Sequence, residues 1–280
     1  MNSRTDLAIE CLKDDISDEG IIKTESTEGD IKITAVEIVT DDAAQKIGKE
    51  KGKYITAELL PFLSNSTDSR AHDVLTAELK KILPEKGTVL VIGLGNREIT
   101  PDAIGPETAS KILATRHIEK EFAENIGLGG LRPVAVLAPG VLGQTGIEVT
   151  EIIKSTVDEI RPAAVVVIDA LAARDLSRLG CTVQFSNTGI TPGSGVGNNR
   201  KEISEKTLGV PVFSVGVPTV VDASTLVYEL TGKESGKGSG MIVTQREIDL
   251  LVDRASELIS HAVNCALQPN ISEEILEEIV

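Results

Sequence analysis

The sequence predicts an α/β fold: a mostly parallel, twisted sheet with helices on both faces, of the phosphorylase/hydrolase-like kind, with a β-hairpin added at the N-terminus. Three observations carry this. Short aliphatic runs recur, Val89-Leu-Val-Ile-Gly-Leu94, Val134-Ala-Val-Leu-Ala138, Ala163-Ala-Val-Val-Val-Ile168 and Val212-Phe-Ser-Val-Gly-Val217, as strands buried on both faces require. Stretches of helical period separate them, and such alternation builds right-handed βαβ units. Aromatic residues are only 2% of the chain and tryptophan is absent, so the core must be aliphatic.

The elements follow in order. Gly20 to Thr40 alternates with period two around Glu28-Gly29-Asp30, the pattern of a hairpin. A short helix from Asp41 to about Lys49 and a strand from Tyr54 to Leu59 come next. Thr67 or Asp68 caps a helix running to about Leu83. After the strand at 89–94, Gly105 to Ile118 reads as a helix beginning at Pro106. A further helix spans about Gly146 to Ile160, and Cys181 to Ser186 reads as a less buried strand. Gly232 to Gly240 is a glycine-rich loop. Thr244 and Glu247 have the spacing of a capping box opening a helix to about Leu267; Pro269 ends it, and Ile271 to Val280 is an acidic amphipathic tail. No repeat and no linker divides the chain, so one domain is expected.

Composition removes whole classes. The 280 residues carry 28 Lys+Arg against 43 Asp+Glu, a net charge of −15, which argues against a surface made to neutralise nucleic-acid phosphates. Ten acids and four bases fall within residues 1–40. No run approaches the ~18 apolar residues of a membrane span, and no targeting signal opens the chain. Cys11, Cys181 and Cys265 are scattered without CxxC spacing and read as reduced thiols of a cytoplasmic protein.

Open parallel sheets place their sites beyond the carboxyl ends of the strands. Asp169 stands directly after four β-branched residues, and Asp102 lies in the loop after the first strand. Each alone also fits a structural role, Asp169 as a helix cap and Asp102 as a charge at a helix N-terminus. Together they are expected on one edge of the sheet, across one cleft. Two carboxylates held close share a proton, so one can take a proton from water while the other donates to the scissile amide. Such a pair also makes activation sensitive to acidification.

Competing chemistries match less well. Gly93-x-Gly95 has Glu98 where a dinucleotide fingerprint needs its third glycine. Gly193 to Gly197 lacks the Lys-Ser/Thr of a phosphate loop, and Ser194 has no GxSxG elbow. Backbone amides of that loop would still suit an anion, so a non-catalytic anion-binding protein stays open. His72, His117 and His261 fall on predicted helices; His117 is the best candidate to join two carboxylates around a divalent ion, which leaves a metal-dependent peptidase open. Asp222, in another strand-end loop, reads as a helix cap or a third acid, with the cap preferred.

Several blocks then resemble one family. Gly93-Leu-Gly-Asn96, Thr100-Pro-Asp-Ala-Ile-Gly-Pro106, Ile168-Asp-Ala-Leu-Ala-Ala-Arg174, Thr188-Gly-Ile-Thr-Pro-Gly-Ser-Gly-Val-Gly-Asn198 and Gly216-Val-Pro-Thr-Val-Val-Asp-Ala223 are similar to the germination proteases of endospore formers. The resemblance implies a fold similar to hydrogenase-maturing peptidases. It also implies an endopeptidase that degrades the small acid-soluble proteins coating spore DNA, with catalytic residues Asp102 and Asp169. Asn96, Ser194 and Gly195 are expected to bind substrate. No metal or other cofactor carries over. The family is made as a zymogen that cuts itself at an acid–apolar–Ala–any–Glu motif, which Asp6-Leu7-Ala8-Ile9-Glu10 fits. Residues 1–6 are then a propeptide and 7–280 a single peptidase domain. Only Met1 to Ser3 precede Arg4, where the family carries a longer leader. The implied assembly is a homotetramer in the spore core, with no direct nucleic-acid or membrane partner.

Overall fold

In a computed structural model the described residues are 5–12, 19–62, 69–125, 127–197, 200–233, 240–272 and 275–276. They build one nine-stranded sheet in the order β1-β2-β3-β7-β8-β6-β4-β5, with β9 on β8. Strands β4 (Val89–Gly93), β5 (Val134–Leu137), β6 (Ala164–Ala173) and β8 (Val212–Asp222) form a parallel block. The hairpin β1 (Ile21–Glu28) and β2 (Ile31–Ile38), then β3 (Gly52–Glu58) and β7 (Thr182–Ser186), extend it antiparallel. β9 (Ile242–Thr244) also joins antiparallel. The sheet as a whole is therefore mixed. Tight turns can close only antiparallel pairs, whereas the parallel block needs crossovers.

Helices cover both faces. On one, α2 (Ser69–Ile82), α3 (Ile104–Ser110) and the long α9 (Ile248–Leu267) pack Val74, Leu75, Ile104, Val252 and Ile259 over Val89, Val91, Val166 and Ile168. On the other, Ile153 and Val157 of α6 (Val149–Ile160) and Leu208 of α7 (Glu205–Leu208) cover Leu90, Ile92, Val165 and Val167. Alternate residues of one strand thus feed opposite cores. The other helices are α1 (Asp41–Ile47), α4 (Lys120–Asn125), α5 (Leu142–Thr145) and α8 (Ala223–Thr231). Among the described residues no helix is long and apolar enough to cross a membrane.

Several sequence expectations change. The helix expected to Ile118 stops at Ser110, because Asn264 Oδ1 takes the Leu113 N–H at 2.9 Å and the Val134 carbonyl takes those of Thr115 and Arg116. His117 therefore sits exposed in a turn, not on a helix. The helix expected from about Gly146 begins at Val149 as α6, and a separate short helix, α5, ends just before it, with Gly146 as its left-handed C-cap. Strand β7 is fully buried rather than partly exposed, since β3 and β8 flank it on both sides. The capping box at Thr244 does not form: Thr244 ends β9 and its hydroxyl donates to the Thr219 carbonyl at 2.7 Å. Both β6 and β8 outrun their expected ends by five residues, because they pair with each other beyond the end of β4. Asp222 caps α8 as expected, accepting the Ser224 N–H at 2.8 Å. The expected cap at Thr67 or Asp68 and most of the 232–240 loop and the acidic tail lie outside the described residues.

Candidate active site

Asp169 lies within β6, not at its end. The last β4 pairing is Gly93 with Ile168, so from Asp169 onward the strand is open on the β4 side while Gly216 of β8 pairs it on the other. Val165 to Ile168 are inaccessible to solvent and Asp169 is only 6% exposed. Its Oδ1 accepts the N–H of Ala170 at 2.9 Å. No helix follows, so it is not a cap. Burial, then the charges of Asp102 and Asp6, drive its pKa well above the usual carboxylate value, against the smaller opposing effect of the Ala170 bond.

The loop leaving β4 brings Asp102 to the same place. Leu94 still donates to the Ile168 carbonyl at 2.8 Å, then the chain folds back through a 3-10 turn over Thr100–Asp102. Asp102 Oδ2 accepts the Asn96 N–H at 2.8 Å, so it closes its own loop instead of capping α3. Gly95 has φ +115°, and a Cβ there would lie 2.0 Å from the Asp102 carbonyl oxygen; only glycine permits so close a crossing. Burial raises the Asp102 carboxyl and the Asn96 bond partly offsets it. The charge of Asp102 adds to the rise at Asp169, the more buried of the two, whereas burial is the main cause of the rise at Asp102.

Asp6, Asp102 and Asp169 line one cavity of about 630 Å³. A second cavity of about 440 Å³, lined by Lys49, Tyr54, Gln184 and Ser194, also has Asp6 and Leu171 in its wall. The N-terminal segment thus lies where the two cavities meet. It is not a loose acidic terminus: Leu7 and Ala8 are fully buried and Glu10 is 6% exposed. Its backbone joins β6 through Asp6 N to the Ala172 carbonyl at 2.9 Å. The Asp6 carbonyl accepts from Lys49 Nζ at 3.0 Å and Gln184 Nε2 at 3.2 Å.

Of the residues expected to bind substrate, Ser194 donates its hydroxyl to Asp6 Oδ1 at 2.6 Å. Gly195 leaves room for that carboxylate, since a Cβ there would lie 2.2 Å from Asp6 Oδ2. Asn96 lines the larger cavity, but its side-chain oxygen is occupied by the Glu98 N–H and the Gln144 amide. Lys49, Gln184, Arg174 and Arg178, which also hold the N-terminal segment, were not singled out from the sequence. Only Arg174 stood in a strand-end loop; nothing in the local pattern marks a lysine beyond α1 or a glutamine inside a strand.

No histidine is among the described residues lining the cavity of Asp102 and Asp169. His117 is exposed in its turn and His72 packs edge-on against His261, ring centroids 4.4 Å apart. Among the described residues no three His, Cys, Asp or Glu side chains gather as a bound ion requires. The three cysteines are free thiols.

A family description, germination protease, matches residues 4–232. A germination protease of Clostridium perfringens is 41% identical over 99% of this chain and 98% of its own length. That of Clostridium acetobutylicum is 42% identical over 96% of each, and that of Priestia megaterium 42% over 81% of this chain and 65% of its own. A solved [NiFe] hydrogenase maturation protease, HycI from Thermococcus kodakarensis, is 17% identical with a TM-score of 0.39, covering 66% of this chain and 98% of that one. The family match runs from Arg4, before the buried N-terminal segment, past both aspartates and the 193–197 loop, so the chain belongs to the germination protease family.

Proposed function

We propose that this protein is an endopeptidase that degrades small acid-soluble DNA-coating spore proteins during germination, with Asp102 and Asp169 activating a water. Residues 1–6 are its propeptide, removed by self-cleavage between Asp6 and Leu7, and it acts as a homotetramer in the spore core. The observation that carries this reading is the position of Asp6: the chain's own acid lies in the cavity that Asp102 and Asp169 line, close enough to raise the Asp169 carboxyl.

Asp102, ionised, takes a proton from the water as its oxygen bonds to the carbonyl carbon. Negative charge develops on the carbonyl oxygen, where Lys49 and Gln184 already donate to Asp6; donors aimed at such an oxyanion are a large source of rate. As the C–N bond breaks, Asp169 gives its proton to the departing nitrogen. Exchange with solvent resets the pair.

The test is incubation of the full chain with a small acid-soluble spore protein, mapping the cut bonds by mass spectrometry beside an Asp169→Asn control. Cuts after an acid and before an apolar–Ala pair are expected with the native chain alone. No cuts, or equal cutting by the control, would refute the aspartate mechanism.

A further inference from the structure

The N-terminal segment is gripped in two different ways. Its backbone is held by contacts that any peptide could make: Asp6 N to the Ala172 carbonyl, Lys49 Nζ to the carbonyls of Thr5 and Asp6 at 3.1 and 3.0 Å, and Gln184, which accepts the Ala8 N–H at 2.7 Å while donating to Asp6. This is strand-like recognition, indifferent to sequence. Its two acids, by contrast, enter sockets built from the body of the protein.

The first socket holds Asp6 between the Ser194 hydroxyl at 2.6 Å and the Ala172 N–H at 2.9 Å. The second holds Glu10, four residues on. There the N–H groups of Arg174 and Asp175 donate at 2.7 and 3.0 Å, and the Thr5 hydroxyl adds a short bond from within the segment. Arg178 Nε, buried and without a hydrogen bond, faces Glu10 Oε1 at 3.8 Å, while its Nη1 pairs with Glu58 at 3.0 Å. The Arg174 guanidinium bonds the Glu10 carbonyl. A carboxylate buried this deeply is stable only where charge and donors meet it. Between the sockets, Leu7 enters an aliphatic pocket with Leu171, Leu179 and Val221, and Ala8 packs against Val36, Ile38 and Tyr54.

We propose that these two sockets are the subsites that select substrate: Ser194 and the Ala172 N–H read the acid before the cut bond, and Arg178 with the Arg174 and Asp175 N–H groups reads a second acid four residues later. The segment occupying them in this structure then stands as a substrate-like peptide, and what the geometry adds to the acid–apolar–Ala–any–Glu motif is which residues read its two acids. The assignment rests on the peptidase reading above for which bond is cut, but the sockets can be tested without catalysis.

The full chain is given peptides copying its residues 3–12, with Glu at the position of Glu10 or Gln or Ala in its place. Hydrogen bonds to a charged group imply a loss of kcat/KM of roughly 10- to 100-fold for either replacement. Arg178→Met should erase that discrimination, cutting the Glu and Gln peptides alike; a merely structural arginine would slow all of them in proportion. Equal cutting of all three peptides by the native chain overturns the proposal while leaving the peptidase standing. The peptide changes leave the protein intact, so misfolding cannot imitate the result. If nothing is cut, amide hydrogen exchange decides. In the full chain carrying Glu10→Ala, the Arg174 and Asp175 amides should regain protection on adding the Glu peptide but not the Ala peptide. Protection without cutting upholds the sockets and removes the peptidase; no protection removes the sockets.

Discussion

Ser194 and Asp6 are 188 positions apart in sequence and 2.6 Å apart in space, hydroxyl to carboxylate. The contact ties the glycine-rich loop to the N-terminal segment, and it depends on the neighbouring glycine. A Cβ on Gly195 would meet Asp6 Oδ2 at 2.2 Å and the Ala172 Cβ at 2.7 Å. Gly195→Ala should therefore lift Asp6 from its place and loosen the segment behind it. Cys11 reports this: its thiol bonds the Leu7 carbonyl, and burial raises its pKa, so it reacts slowly while the segment is docked. Alkylation of Cys11, followed by peptide mass mapping, should quicken about tenfold in Gly195→Ala; an unchanged rate would mean the loop does not hold the segment.

Asp169→Asn should lower kcat by roughly 10²- to 10⁴-fold, the range of a lost acid–base group, with the fold kept because Asn preserves shape and can still accept the Ala170 N–H. Its effect on stability has a defined sign. The folded pKa of Asp169 lies above the unfolded value of about 3.9. The stability it contributes is complete below that unfolded value and is lost as pH rises toward the folded one, at up to about 1.4 kcal/mol per pH unit. Denaturant midpoints across pH should fall more steeply for the native chain than for Asp169→Asn; parallel curves would show that Asp169 is not protonated in the folded state.

The same assignment sets the pH profile of self-cleavage. Burial raises Asp102, which the proposed mechanism requires ionised, so the rate should fall on the acid side at a pH above the ordinary aspartate value. Asp169 must be protonated, so the rate should fall again as pH rises through its higher pKa. Acidification from neutral pH then activates only as far as it protonates Asp169. A bell displaced upward from the ordinary carboxylate range is expected from initial rates; a flat profile from mildly acidic to neutral pH contradicts the shared proton.

How far the sequence could be read follows from the range of the forces involved. Val165 to Ile168 announce a buried strand locally, and the Gly29-Asp30 turn announces the hairpin, so both were legible. The overrun of β6 past Asp169 was not, because it needs β8 as a partner for residues that alone look like a loop. The shortened α3 was hidden for the same reason: Asn264 of α9, far along the chain, takes the N–H that would have continued it. That Asp102 and Asp169 meet at one cavity was reachable from topology. Lys49, Gln184 and Arg178 were not, since what distinguishes them is contact with residues 5–10, which a strand or helix pattern does not encode.

Metal removal should leave activity unchanged. Among the described residues no three His, Cys, Asp or Glu side chains are arranged to hold an ion, and one Asp102 oxygen is already taken by the Asn96 N–H. Self-cleavage and peptide cutting after exhaustive chelation should match the untreated protein within error. A loss restored by adding back a divalent ion would replace the water-activating pair with a metal-bound water.

Lys49 offers the sharpest division between binding and chemistry. Its ammonium reaches two successive carbonyls, Thr5 at 3.1 Å and Asp6 at 3.0 Å, and the second belongs to the bond proposed to break. If it only anchored the segment, Lys49→Met would weaken the ground state and transition state alike, raising KM and leaving kcat. In the proposed reaction, however, charge grows on the Asp6 oxygen as water adds, so the contact would strengthen in the transition state. Lys49→Met should therefore reduce kcat by about 10²-fold with a much smaller change in KM. Gln184→Leu removes the second donor and also the clamp on the Ala8 N–H, so it should raise KM as well. Steady-state kinetics on a peptide copying residues 3–12 separates the two; a Lys49→Met variant altered in KM alone would reduce the lysine to an anchor.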